Sequence, residues 1–158
     1  MATPLFINRT DLVSNSIIDG NVDTNKFIFF VSIAQTIHIQ NFLGTELYQE
    51  FEGMVTAGTL TVGANPNHYA LMTDYIQPML IWYAQTDYIP WAAFQIKNGG
   101  VFKHTSENSE SASKEELDYL IAKAREYAEY YTRRFIDYMN FNQATFPKYY
   151  SNSNDDID

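Results

Sequence analysis

The sequence predicts an all-α protein: a compact bundle of about four to five helices with a kinked central helix, a long polar loop and an extended C-terminal arm. Three observations carry this. Leu117, Leu120, Ile121, Ala124, Ala128, Tyr131, Phe135 and Tyr138 recur at three- and four-residue steps, the period of one buried helical face. A second stretch, from Asn65-Pro66 toward Lys97, keeps helical spacing but is apolar on most sides, as a helix in the middle of a bundle is. Helix start and stop residues flank these segments: Ser113 and Asn65-Pro66 before them, Asn98-Gly99-Gly100 and Pro147 after. The expected organisation is a single helical domain over residues 1–145, with the loop at 98–113 protruding, and an arm over residues 146–158.

Taken in order, residues 1–9 form a short extended lead-in. Thr10 and Asp11 are cap-like and open a short helix over residues 11–18, ended by the turn signal Asp19-Gly20-Asn21. Asp23 or Thr24 caps a helix over residues 26–41, with Phe27, Phe30, Val31, Ala34 and Ile37 facing inward. Gly44 suits a left-handed helix end. Thr45 then caps a third helix over residues 46–57, with Leu47, Phe51 and Met54 or Val55 inward. Residues 58–65 are a loop in which Thr59 to Val62 could pair briefly as a strand. Asn65-Pro66 starts the apolar helical region containing Leu71, Tyr75, Ile76, Met79, Leu80, Tyr83, Ile89 and Phe94. Pro78 and Pro90 each remove a ladder hydrogen bond, so two or three kinked segments are expected there. The polar loop follows. The last helix, over residues 114–142, opens with Ser113-Lys114-Glu115-Glu116, a capping box. Lys123, Glu126, Glu129, Arg133 and Asp137 form its solvated side.

Composition bounds the function. A chain of 158 residues is one domain with room for a real core. Its 12 Tyr and 11 Phe exceed what such a core needs, and surplus aromatics mark interfaces. A net charge of −9 argues against wrapping nucleic acid, which needs a basic surface. With no Cys there is neither a disulfide framework nor thiolate chemistry. Residues 1–9 lack a signal-peptide pattern, and no apolar run reaches the ~18 residues of a membrane span, so no membrane partner is expected.

No catalytic, cofactor-binding or metal site is expected. The sequence has no phosphate-cradling glycine loop, no His-Glu-x-x-His and no Cys/His metal spacing. His38, His68 and His104 lie far apart, and each has a structural account. Glu46, Glu50 and Glu52 read as a solvated helix face rather than acid–base groups. Tyr127, Tyr130, Tyr131, Tyr138 and Phe141 span more than one face of the last helix, so some are surplus to the core. Phe146, Tyr149 and Tyr150 are expected to pack on a neighbouring subunit rather than back on their own domain.

The ordered features resemble a known family. They are Phe42-Leu43-Gly44-Thr45-Glu46-Leu47, the Pro-interrupted apolar helix from Asn65, the exit Asn98-Gly99-Gly100-Val101, the polar loop over residues 106–113, and the closing segment from Asn142 to Pro147-Lys148-Tyr149. Over residues 10–150 this layout resembles the head–tail connector (adaptor or ring) proteins of tailed bacteriophages, most nearly those of crAss-like and other Bacteroides-infecting phages. The resemblance implies a virion structural protein, not an enzyme, whose subunits form a homo-oligomeric ring, usually twelve-fold. Such a ring binds the portal protein and further tail or ring proteins, and packaged DNA passes through it without sequence-specific binding. It implies assembly in the host bacterial cytoplasm and a place at the head–tail junction of the virion. Transferred by position, the interface residues are Gly99, Gly100, Val101, Phe102, Lys103 and His104 of the loop and Phe146, Pro147, Tyr149 and Tyr150 of the arm. On this reading, removing residues 148–158 weakens assembly and leaves the helical fold.

The alternative is a non-catalytic helical binding module holding a small apolar ligand near Trp82, Tyr83 and Trp91, or a regulatory partner. A hydrolase using Glu46 or His38 is a third, weaker reading.

Overall fold

The computed structural model describes residues 4–14, 24–92, 94–97, 100–103 and 113–151. Its centre is helix α6 (Gln77–Ala92), preceded by α1 (Arg9–Ser14), α2 (Thr24–Ala34), α3 (Gln40–Leu43), α4 (Thr45–Ala57) and α5 (Pro66–Leu71). Two strands, β1 (Phe94–Lys97) and β2 (Gly100–Lys103), follow, then α7 (Lys114–Phe141) and α8 (Pro147–Tyr150). Met79, Leu80, Ile81, Tyr83 and Ala84 of α6 are all buried, and both α2 and α7 pack directly on this helix. The expected all-α bundle is therefore the architecture, with one small antiparallel hairpin added.

Two helices are interrupted by π turns, and each interruption changes which residues face the core. Met72–Ile76 joins α5 to α6 as a π turn, closed by the Gln77 N–H on the Met72 carbonyl. It stands directly before Pro78, whose ring would crowd the carbonyl of Asp74 in a regular α ladder. This is how the proline is accommodated. The second π turn, Gln35–Ile39, joins α2 to α3. Its extra residue advances the buried face: Phe27, Val31 and Ala34 are buried before it, Gln35, Ile39 and Leu43 from it onward. Ile37, expected inward on an unbroken α spacing, is 59% exposed for that reason.

Glycines set two helix ends. Gly58 caps α4 at φ 71°, ψ 22°, the left-handed position. Gly44 separates α3 from α4 at φ 76°, ψ 153°, a different conformation that a Cβ would also disfavour. Thr45 is the first residue of α4 rather than its cap, and its hydroxyl accepts from Gln40 Nε2 at 3.1 Å. Asn65 does precede α5, with Pro66 at the first turn, but its side chain points back to donate to the Thr59 carbonyl at 2.8 Å. Residues 59–62 are not a strand; a turn starts at Thr61, whose carbonyl takes the Asn65 N–H at 2.9 Å and whose hydroxyl takes the Ala64 N–H at 3.1 Å.

The capping box of α7 is formed: Ser113 Oγ accepts from the Glu116 N–H at 3.2 Å, and Glu116 Oε2 accepts from the Ser113 N–H at 2.9 Å. The helix runs 28 residues. Its buried face is Ala124, Ala128, Thr132, Phe135 and Met139, so Leu120 lies outside the stripe expected of it and is 44% exposed. Thr132 is buried because its hydroxyl donates to the Ala128 carbonyl at 2.8 Å and accepts from the Tyr83 hydroxyl at 3.1 Å.

Candidate interaction surfaces

The stretch expected as a protruding loop begins as a hairpin. β1 and β2 pair antiparallel in the register Phe94↔Lys103, Gln95↔Phe102, Ile96↔Val101 and Lys97↔Gly100. Gly100, Val101, Phe102 and Lys103 are therefore strand residues rather than loop residues; Gly99, His104 and the rest of residues 98–99 and 104–112 lie outside the described residues. The signal was present. Asn98-Gly99 between β-branched and aromatic residues is the favoured two-residue hairpin connection.

The segment expected as an arm packs back on its own helices up to Ser151. Phe146 is 1% exposed. Its ring meets His68 edge-on at 5.1 Å and Tyr138 at 6.3 Å. Tyr149 is half-buried, with its ring against Phe135 at 5.8 Å. The Tyr150 hydroxyl donates to the Met139 carbonyl. Lys148 Nζ reaches Glu50 Oε2 at 3.0 Å, and Ser151 Oγ donates to Glu46 Oε2 at 2.6 Å. The expectation that Phe146 and Tyr149 pack on a neighbour is overturned, because α4, α5 and α7 together leave an apolar slot that these rings fill. Pro147 is exposed at the first turn of α8, and Tyr150 keeps 43% exposure. Residues 152–158, with the acidic end, lie outside the described residues.

Both described histidines are tied to carboxylates. His68 Nε2 pairs with Glu50 Oε1, while its ring lies between Phe51 and Phe146. His38 Nε2 pairs with Asp87 Oδ2 at 3.1 Å, and its ring stacks on Tyr83 at 4.4 Å and 14°. Among the described residues, no group of three or more His, Asp or Glu side chains is placed to hold a metal ion. Likewise, no described helix is long and apolar enough to cross a membrane.

A cleft of about 180 Å³ opens between the N-terminal segment, α6 and α7, lined by Ile7, Thr73, Gln77, Pro78, Ile81, Trp82 and Tyr131. Sites for drug-sized ligands span roughly 300–1,000 Å³. Trp82 borders this cleft, but Tyr83 is buried beside His38, and Trp91 is 54% exposed near the end of α6. The three aromatics named for a ligand pocket therefore do not line this space together.

Apart from Val62, Trp91 and Tyr150, the exposed large apolar side chains among the described residues lie on the segment from α2 through the π turn at Gln35–Ile39 and along α7. Phe29 of α2 is 61% exposed and is followed by the exposed Ile37. Along α7, Tyr119, Leu120, Tyr127, Tyr130 and Phe141 are exposed, Phe141 at 90%. Helical spacing predicts Ile37 and Leu120 in the core. The π turn brings Ile37 outside, and the packing of α7 against α6 leaves Leu120 outside.

No curated protein and no solved structure matches the chain. A model of one family of unknown function matches residues 39–157, from the end of the π turn at Gln35–Ile39 through the hairpin, α7 and α8. The chain belongs to that family, DUF6712.

Proposed function

We propose that the protein is a virion structural protein, a head–tail connector subunit that forms a ring joining the portal to the tail and lining the DNA channel. The observation that carries this reading is that exposed apolar side chains occur at two places, Phe29 of α2 with Ile37 of the π turn after it, and a row along α7; α2 and α7 both pack on α6. A ring subunit meets one neighbour through one face and the next through a different face, so it needs two unlike adhesive surfaces. Surface aromatics such as Phe29, Tyr119 and Tyr127 are the residue types that anchor protein interfaces. The layout shared with phage connectors supports the same reading. The net charge of −9 fits a channel wall along which DNA slides, since like charge forfeits the gain from counterion release.

Native mass spectrometry of the chain, alone and mixed with a portal assembly, tests this. A ring-sized complex with one copy per portal subunit is the expected result. A chain that ignores the portal under all mixing ratios refutes the reading.

A further inference from the structure

We infer that the outer face of α7 pairs antiparallel with the same face of a second copy of the chain, about a two-fold axis at Tyr130. The spacing comes first. Leu120, Lys123, Tyr127 and Tyr130 begin a run of alternating three- and four-residue steps that continues through Arg134 and Asp137 to Phe141. A seven-residue repeat of this kind keeps one seam of a helix against a partner helix over many turns. The seam is outside the fold: Leu120, Tyr127, Tyr130 and Phe141 are 44%, 46%, 50% and 90% exposed. It extends for about 31 Å at ~1.5 Å per residue.

The order of residue types along the seam is self-complementary in one direction. With the helices antiparallel and Tyr130 facing the partner's Tyr130, Phe141 falls against the partner's Leu120 and Tyr119. Lys123 meets the partner's Asp137. Tyr127 meets the partner's Arg134, which also comes beside Glu126. Apolar meets apolar, and each cation meets a carboxylate or an aromatic face. A parallel, in-register pair would instead set Lys123, Arg134 and Asp137 each against itself. Within one chain these side chains already have contacts at the edges of the seam: the Tyr127 ring rests against Trp82 at 4.8 Å. Arg134 already lies over the Tyr75 ring at 5.2 Å, and Lys123 is 3.3 Å from Glu126. The contact is isologous, so it differs from the contact that closes a ring and does not depend on the connector reading. In a ring that uses α7 against α2 of the next subunit, this pair must open first.

The chain has no cysteine, so one introduced thiol reports one position. Under mild oxidation of the full chain, Tyr130→Cys is expected to form a disulfide-linked dimer with itself. Leu120→Cys and Phe141→Cys are each expected to stay monomeric on a non-reducing gel, and their equimolar mixture to cross-link. Sedimentation velocity provides the second measurement. Lys123→Glu and Asp137→Lys each weaken the dimer by roughly tenfold through like-charge opposition, and the double variant restores it. A wild-type chain that sediments only as a monomer overturns the inference. So does self-cross-linking of Leu120→Cys as fast as that of Tyr130→Cys. A monomer that still assembles on the portal leaves the connector reading in place, whereas a dimer that ignores the portal removes that reading and keeps this one.

Discussion

The side-chain amide of Gln35, fully buried, holds the backbone of Phe6 across 29 residues: Gln35 Oε1 accepts from the Phe6 N–H at 2.9 Å. Its Nε2 donates to the Pro4 carbonyl at 2.8 Å and lies 3.2 Å from the Tyr48 hydroxyl. Gln77 Nε2 donates to the Phe6 carbonyl at 2.8 Å. Gln35 opens one π turn and Gln77 immediately follows the other. The widened turns thus coincide with the two amides that satisfy an extended segment whose Phe6 and Ile7 side chains are buried.

Gln35→Leu removes these bonds and puts an apolar side chain in place of the amide. It leaves the Phe6 N–H buried without its partner, which costs about 1–3 kcal/mol. The expected result is a lower urea midpoint with an unchanged m-value. An unchanged midpoint would mean that the N-terminal segment contributes nothing to the cooperative unit.

Phe146→Ala empties a site that is 1% exposed and is expected to cost about 3–5 kcal/mol in a thermal or urea melt. Phe29→Ala, at 61% exposure, is expected to stay within about 0.5 kcal/mol. The same contrast corrects the expected effect of removing residues 148–158. That truncation deletes the Tyr149 ring packed on Phe135 and the Lys148–Glu50 pair, so it lowers stability as well as any assembly.

Ser113→Ala breaks the reciprocal bonds at the start of α7 and is expected to cost about 0.5–2 kcal/mol. Denaturant titration measures the loss. Ser113→Asp retains an acceptor for the Glu116 N–H and is expected to recover most of it.

Stability should fall on the alkaline side. Burial raises the pKa of the Tyr48 phenol above its ordinary value of 10.0; the Gln35 bond opposes the shift, and the Glu52 charge adds to it. Burial, with the neighbouring Tyr150, raises that of Tyr149. A group whose folded pKa exceeds its unfolded value holds its proton longer in the folded state. The unfolded chain therefore ionises first, and the contribution of these tyrosines is intact below about pH 10 and is lost as pH rises through their folded values. Unfolding midpoints measured from pH 8 upward, alongside phenolate absorbance, should show the loss beginning near pH 10 and smaller in Tyr48→Phe.

Sequence by itself determined the elements whose signals are local. The Ser113/Glu116 box and the Asn65-Pro66 helix start depend on residues a few positions apart and lie where expected; the three- and four-residue period located α7 as a helix, though not every residue of its buried face. The central position of α6 was legible from its apolar residues on most sides. Only the tertiary structure decided the phase of the helical faces. A single π turn rotates everything after it, so Ile37, expected inward, is exposed while Ile39 is buried, without any change in composition. It also decided the fate of Phe146, since whether an aromatic tail finds a slot depends on the shape left by α4, α5 and α7. It placed Gln35, a polar residue that local reasoning puts outside, at the centre, because the partners that satisfy it are 13 to 31 residues away. The outer seam of α7 drew on both: the spacing is in the sequence, but its exposure follows from the packing of Ala124, Ala128 and Phe135 on the other side.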